Sequence, residues 1–131
     1  MSPRWVFNPK DFRRICDLLM NSHEDSNSEC YFRTVMNRSY LMALQVTAAH
    51  ILQKGAHLPS DHTYYGVVKE KMLVLGADPE MKDKLSDLQE LRADADYCYC
   101  KHLGRNDAIE AISLARDIIS HMDTLYPGAK L

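Results

Sequence analysis

From Ser26 to Gln53 the chain runs without a Gly or a Pro, and its apolar residues recur along two lines rather than one. Phe32, Val35, Met42, Val46 and Ala49 form the first line, and Leu41, Leu44, Ala48 and Ile51 the second. On a 3.6-residue period these lines occupy different sides of a single helix, and a helix that is apolar on more than one side must be covered on more than one side. Such a segment is central in its bundle. Ser26 with Glu29 has the spacing of a capping box at its start, and Gly55 suits the left-handed position past its end.

The rest of the chain is punctuated to match. Asn8-Pro9, with Asp11 in the first turn, opens a first helix whose stripe is Phe12, Ile15, Cys16 and Leu19. The polar run 21–28 closes it. After the connection Ala56–Pro59, a third helix spans about Asp61 to Leu75, with Tyr65, Val68, Met72 and Leu75 facing inward and Gly76 ending it; Gly66, about 1 kcal/mol worse than Ala in a helix, frays its first turn. Asp78-Pro79 opens a fourth, which nothing interrupts before Gly104, so it is expected to reach Leu103 at a length of roughly 37 Å. Asn106 is the expected cap of a fifth helix with the stripe Ala108, Ile112, Ala115, Ile119, Met122 and Tyr126, stopped by Pro127-Gly128. No segment alternates with a strand's period of two. The expectation is an all-α, single-domain chain (1–131): an up-and-down bundle of four core helices, residues 28–126, plus an N-terminal helix.

Within the fourth helix, Met81, Leu85, Leu88, Arg92, Ala95, Tyr99 and His102 share one face, so Arg92 stands where an apolar residue is called for. Desolvating a guanidinium is costly, and Arg92 needs a partner. Asp96 at i+4, with Asn37 across the bundle, would supply one and fix the helix register. Asn37 likewise interrupts an apolar line on the second helix. Tyr40, Tyr97 and Tyr99 are expected to be half-buried, with their hydroxyls paired. His50, among Ala48, Ala49 and Ile51, reads as a core histidine with satisfied nitrogens.

Sixteen Lys+Arg against 18 Asp+Glu give a net charge of −2, which argues against wrapping nucleic acid by bulk charge but leaves room for a local patch. No apolar run approaches the roughly 20 residues of a membrane span, and the N-terminus is too short and polar to be a secretion signal, so a cytoplasmic protein with no membrane partner is expected. The four cysteines are then free thiols, Cys98 and Cys100 pointing to opposite sides of the fourth helix. Cys98 and His102 stand at i and i+4, a spacing that can serve a metal, but no second close pair completes a four-ligand set, so no metal and no cofactor are expected. Phosphate-loop, esterase and zinc-protease motifs are absent.

Asn37-Arg38-Ser39-Tyr40, followed by Gly55 and a downstream His62, resembles one branch of the HEPN superfamily, and Arg92-Ala93-Asp94-Ala95-Asp96-Tyr97 resembles the arginine-then-alanine-aspartate-tyrosine motif on a later helix of that branch. The resemblance implies a small helical bundle that dimerises, and a role on RNA. Many such domains are metal-independent endoribonucleases of toxin–antitoxin or phage-defence systems, in which a nucleotidyltransferase-like antitoxin is the partner. In the nucleases an Arg is followed, after four to six intervening residues, by a His at a dimer cleft. Arg92 matches that arginine, and Asn37 or Arg38 falls where a polar partner is drawn from. Positions 97 to 99, however, are Tyr97, Cys98 and Tyr99.

The first histidine after Arg92 is His102. Ten helical residues turn it about 80° away from Arg92 and raise it about 15 Å, too far for one subunit to grip one phosphate with both. RNA cleavage without a metal needs a base for the 2′-hydroxyl, an acid for the leaving oxygen and a cation for the phosphorane charge. Arg92 suits the last role. The others require His102 from a second subunit, or Tyr97 or Tyr99 in its stead. Asn37, Arg92 and His102 are thus the candidate catalytic residues, and Arg38, Tyr40, Asp96, Tyr97 and Tyr99 the candidate RNA contacts. The alternative is a non-catalytic interaction or nucleotide-binding module that kept the fold and lost the histidine.

Overall fold

The computed structural model describes residues 7–22 and 28–125, and among these every regular element is helical. The helices are α1 (Phe12–Met20), α2 (Ser28–Gln53), α3 (Tyr64–Val74), α4 (Pro79–Tyr97) and α5 (Arg105–Leu125), with a single 3-10 turn, Pro9–Asp11, leading into α1. The all-α bundle expected from the sequence is the fold observed.

α2 touches each of the other four helices. Its buried residues include members of both apolar lines, Phe32, Val35, Met42 and Val46 on one and Leu44, Ala48 and Ile51 on the other, so the absence of a polar face has its cause in burial on several sides. Opposite it, Leu85 and Leu88 of α4 and Ala108, Ala111, Ala115, Ile118 and Met122 of α5 complete the core. The run of alanines on α5 lets its backbone approach α2 closely. Side-chain contacts fix the directions. Asn37 near the start of α2 meets Asp96 near the end of α4, and Asp78 at the start of α4 meets His121 near the end of α5. Consecutive long helices therefore run antiparallel, and α3 is the short piece within the α2–α4 crossover.

The terminators behave as the sequence implies. Gly55 and Gly76 have φ of 84° and 100°, and after each the next amide returns to the carbonyl five residues back: Ala56 to Ile51 and Ala77 to Met72. These are Schellman closures, which a non-Gly residue forms only under strain. Asn8 and Asp78 each accept the N–H two residues on, as capping residues do.

Six expectations are corrected. The Asn8-Pro9 start opens as a 3-10 turn, with α1 proper beginning at Phe12, and Ile15 lies on its exposed side. α3 begins at Tyr64, because the Asp61 carboxylate takes the Thr63 amide and hydroxyl and holds Asp61–Thr63 as a turn. Asn106 lies inside α5. Gly104 is the capping position, its N–H donating to the Asp107 carboxylate while its carbonyl accepts from Asp107 N–H. α4 stops at Tyr97 rather than Leu103. With Cys98 extended at its C-cap, Cys98 and Cys100 leave the helix, and the premise for their opposite facing goes with it. The expected Ser26 cap, Tyr126 and Pro127-Gly128 lie outside the described residues. Among the described residues no helix is long and apolar enough to cross a membrane.

Candidate functional site

Two arginines organise the face where α2 meets the end of α4, and they do so differently. Arg33, on the first turns of α2, is only 14% exposed. Its Nη1 donates to the carbonyls of Asp94 (3.0 Å), Ala95 (3.0 Å) and Cys98 (3.1 Å), and its Nη2 to that of Lys101 (2.6 Å). The last carbonyls of a helix have no partner within it. Here one guanidinium from another helix takes the carbonyls of Asp94 and Ala95 at the end of α4, the former shared with the Cys98 N–H, and two more beyond it, and the chain turns aside at Cys98 instead of continuing α4. Glu29, one turn back on α2, holds Arg33 Nε at 3.0 Å through one carboxylate oxygen and His102 Nδ1 through the other. Segment 98–104 is thereby folded back along the start of α2, anchored by buried Leu103.

Arg92, on α4, lies over Tyr40, about two turns further along α2 than Arg33. Its Nε is 2.8 Å from the Asp96 carboxylate, and the same carboxylate oxygen accepts from Asn37 Nδ2 at 2.9 Å. The pairing of Arg92 with Asp96 expected from the sequence is present, whereas Asn37 bonds the Asp96 carboxylate and not Arg92 itself. The Arg92 Nε–H is not aligned with the carboxylate as a hydrogen bond, so the contact is an ion pair without directional strength. The guanidinium rests between two tyrosine rings, 5.4 Å from the centre of Tyr40 and 5.6 Å from that of Tyr97. Its side chain is 26% exposed, and among the described residues its terminal nitrogens make no hydrogen bond.

Tyr40 is buried beneath Arg92, and burial foremost, with Tyr65 adding to it, pushes its hydroxyl up to about 12 against the small opposing effect of Arg92. It remains protonated at neutral pH. Tyr40 therefore supports Arg92 from below and has no free face for a ligand.

The groove between these clusters has a volume of about 540 Å³ and is lined among others by Glu29, Arg33, Asn37, Arg38, Asp96 and Tyr99. Arg38 sits on its rim, its guanidinium 5.3 Å from the Phe12 ring of α1. Tyr97 and Tyr99, expected to be half-buried, are 70% and 79% exposed. The reason is the early end of α4: Tyr97 is its last residue and Tyr99 lies beyond it.

His102 is 88% exposed and belongs to the Glu29 end of the groove. Glu29 and Asn37 are eight residues apart on α2, roughly 12 Å along the axis. The structure thus brings Asn37, Asp96, Arg92, Tyr40 and Tyr97 together and leaves His102 apart from them, by a route the straight-helix reading did not contain. The i, i+4 relation of Cys98 and His102 also disappears, and among the described residues no group of three or more His, Cys, Asp or Glu side chains is arranged to hold a metal.

Arg33 was missed by the sequence reading. Its i, i+4 spacing to Glu29 was visible, but nothing near it in sequence announces its targets, 61 to 68 positions away. His50 is buried as expected, with Nε2 2.9 Å from Asp123.

The model of the HEPN domain family matches residues 10–125 of the chain. No curated protein and no solved structure is significantly similar to it.

Proposed function

The chain belongs to the HEPN domain family, and on that premise we propose that it binds RNA through the groove between α2 and the end of α4. The observation that carries this reading is the state of Arg92: cradled by Tyr40, Tyr97 and Asp96, yet with its terminal nitrogens unbonded within the described chain. A planar guanidinium fork fits two phosphate oxygens. Asp96 and Asn37 set its position, and Arg38 adds a second positive charge on the rim. The exposed rings of Tyr97 and Tyr99 offer faces for unpaired bases to stack on, an interaction worth about 1–3 kcal/mol per base. His102 stands roughly 12 Å along α2 from this cluster, so within one chain the reading is binding without cleavage, as in a domain that has lost the nuclease histidine.

The test is fluorescence polarisation of a labelled single-stranded RNA against wild type, Arg92→Ala and Tyr99→Ala over a salt series, with folding followed by circular dichroism. Binding should weaken at least tenfold in Arg92→Ala with the helical spectrum unchanged. Equal binding by Arg92→Ala, or none by wild type at low salt, overturns it.

A second reading is favoured by one observation: His102 is exposed, and its Nδ1 is held by a carboxylate, leaving Nε2 outward in the manner of an oriented general base. If the protein is a homodimer whose second copy brings His102 to Arg92, the site becomes a metal-independent endoribonuclease. A toxin–antitoxin setting with a nucleotidyltransferase-like antitoxin is the natural context for that reading. Cleavage of RNA by wild type but by neither Arg92→Ala nor His102→Ala, together with a dimer in solution, is what it requires.

A further inference from the structure

On the opposite side of α2 from Arg92, helices α1 and α5 both pack on α2 but scarcely touch each other. Among the described residues, the hydrogen bonds that tie α1 and the turn before it to α5 lie across the two ends of the gap. At one end Lys10 Nζ meets Asp123 Oδ2 at 2.8 Å, and at the other Arg105 Nη1 donates to the Met20 carbonyl at 3.2 Å. Between these two polar ties lies a cleft of about 300 Å³. Its floor is apolar: Met42 of α2 and Cys16 of α1 are buried, and Ile112 and Ile119 of α5 are partly covered. The Cys16 thiol is pushed up by burial, so the floor carries no charge.

The walls are polar and predominantly cationic. Lys10, Arg13 and Arg116 face Asp17 and Asp123. Asp123 is already engaged by Lys10 and His50, and Asp17 lies 3.8 Å from Arg13 across an exposed pair. Arg116 has no carboxylate within ion-pair distance among the described residues. An apolar slot with one uncommitted cation at its mouth has the chemistry of a receptor for a molecule with a short hydrocarbon body and one negative end. At about 30 Å³ per water-sized group, the cleft accommodates roughly ten heavy atoms, and pockets of this size are at the small end of those that hold ligands.

We infer that the α1–α5 cleft binds a small amphipathic monoanion, a medium-chain carboxylate or a molecule of that character, with its tail over Met42, Ile112 and Ile119 and its charge on Arg116. This site is independent of the RNA groove and of the reading given to it. Octanoate, with ten heavy atoms, is the probe, titrated into the full-length protein by calorimetry and by chemical-shift perturbation. Wild type should bind octanoate saturably at one site, with shifts confined to α1, α5 and the facing turns of α2. Arg116→Gln, a change at an exposed position, should weaken binding at least tenfold. Ser120→Trp, also exposed and on the cleft wall, should block it, and octanol should bind at least tenfold more weakly than octanoate. Absence of saturable binding to wild type, equal affinity in Arg116→Gln or Ser120→Trp, or equal affinity for octanol overturns the inference.

Discussion

Arg33 and Arg92 lie on facing helices a few turns apart, and each contacts a carboxylate and a tyrosine ring. What separates them is where their remaining donors go. Arg33 spends its terminal nitrogens on four backbone carbonyls, of which only that of Asp94 also has a backbone partner among the described residues, the Cys98 N–H, and it is nearly buried. Arg92 keeps its fork uncommitted, paired through Nε with Asp96, which lines the groove. The difference teaches that an arginine interrupting an apolar pattern is not thereby a site. The informative quantity is the number of its donors the fold already uses: Arg33 is saturated and structural, whereas Arg92 is positioned but unsaturated.

That contrast can be broken by mutation. Arg33→Ala should cost most, on the order of 2–4 kcal/mol in urea unfolding, since it strands several carbonyls and removes hydrogen bonds from a charged donor. Arg33→Lys should recover only part of this, because an ammonium cannot reproduce the fork. Arg92→Ala should cost less than about 1 kcal/mol, as expected of a quarter-exposed ion pair discounted for solvent screening, while removing most of the RNA affinity. If Arg92→Ala destabilises as much as Arg33→Ala, the distinction fails. Asn37→Ala should be milder still: Asp96 keeps Arg92, so a two- to fivefold loss of RNA binding is expected, and the Asn37/Arg92 double variant should bind no worse than Arg92→Ala alone.

The smallest effect lies on the far side of α2. Burial raises Asp123, but the hydrogen bonds from Lys10 and His50 outweigh it and hold the carboxyl below its ordinary value. A group depressed on folding stabilises fully above the ordinary carboxylate value of about 3.9 and loses that contribution as the pH falls through its lower folded value. Asp123→Asn should therefore flatten the acid limb of the stability curve below about pH 4 and leave RNA binding unchanged. A wild-type acid limb in the variant would show that the carboxylate is not engaged in solution.

How much of this was legible in the sequence follows from the range of each interaction. The centrality of α2, the Gly55 and Gly76 closures, the Asn8 cap and the Asp78-Pro79 start all rest on residues within one or two turns of each other, and each was readable, although Asn8 caps a 3-10 turn rather than α1 itself. So was the Arg92–Asp96 pair, at i+4. The end of α4 was not. Nothing between Pro79 and Leu103 breaks a helix, and the residue that stops it sits on α2. Because that stop was invisible, Tyr97 and Tyr99 were expected half-buried when they are exposed, and His102 was assigned to the Arg92 face when Glu29 holds it elsewhere. The α1–α5 cleft was equally hidden, since a gap between helices that share a neighbour has no local pattern.

The length of α4 is thus a property of the docked molecule rather than of its own segment. Before α2 arrives, residues 98–103 have no reason to leave the helix. The docked arrangement forgoes about two turns of helix that this segment could form alone, an opposing contribution that the bonds of Arg33 outweigh. Those bonds join residues 61 to 68 positions apart, so if they form late, Arg33→Ala should accelerate unfolding far more than it slows refolding.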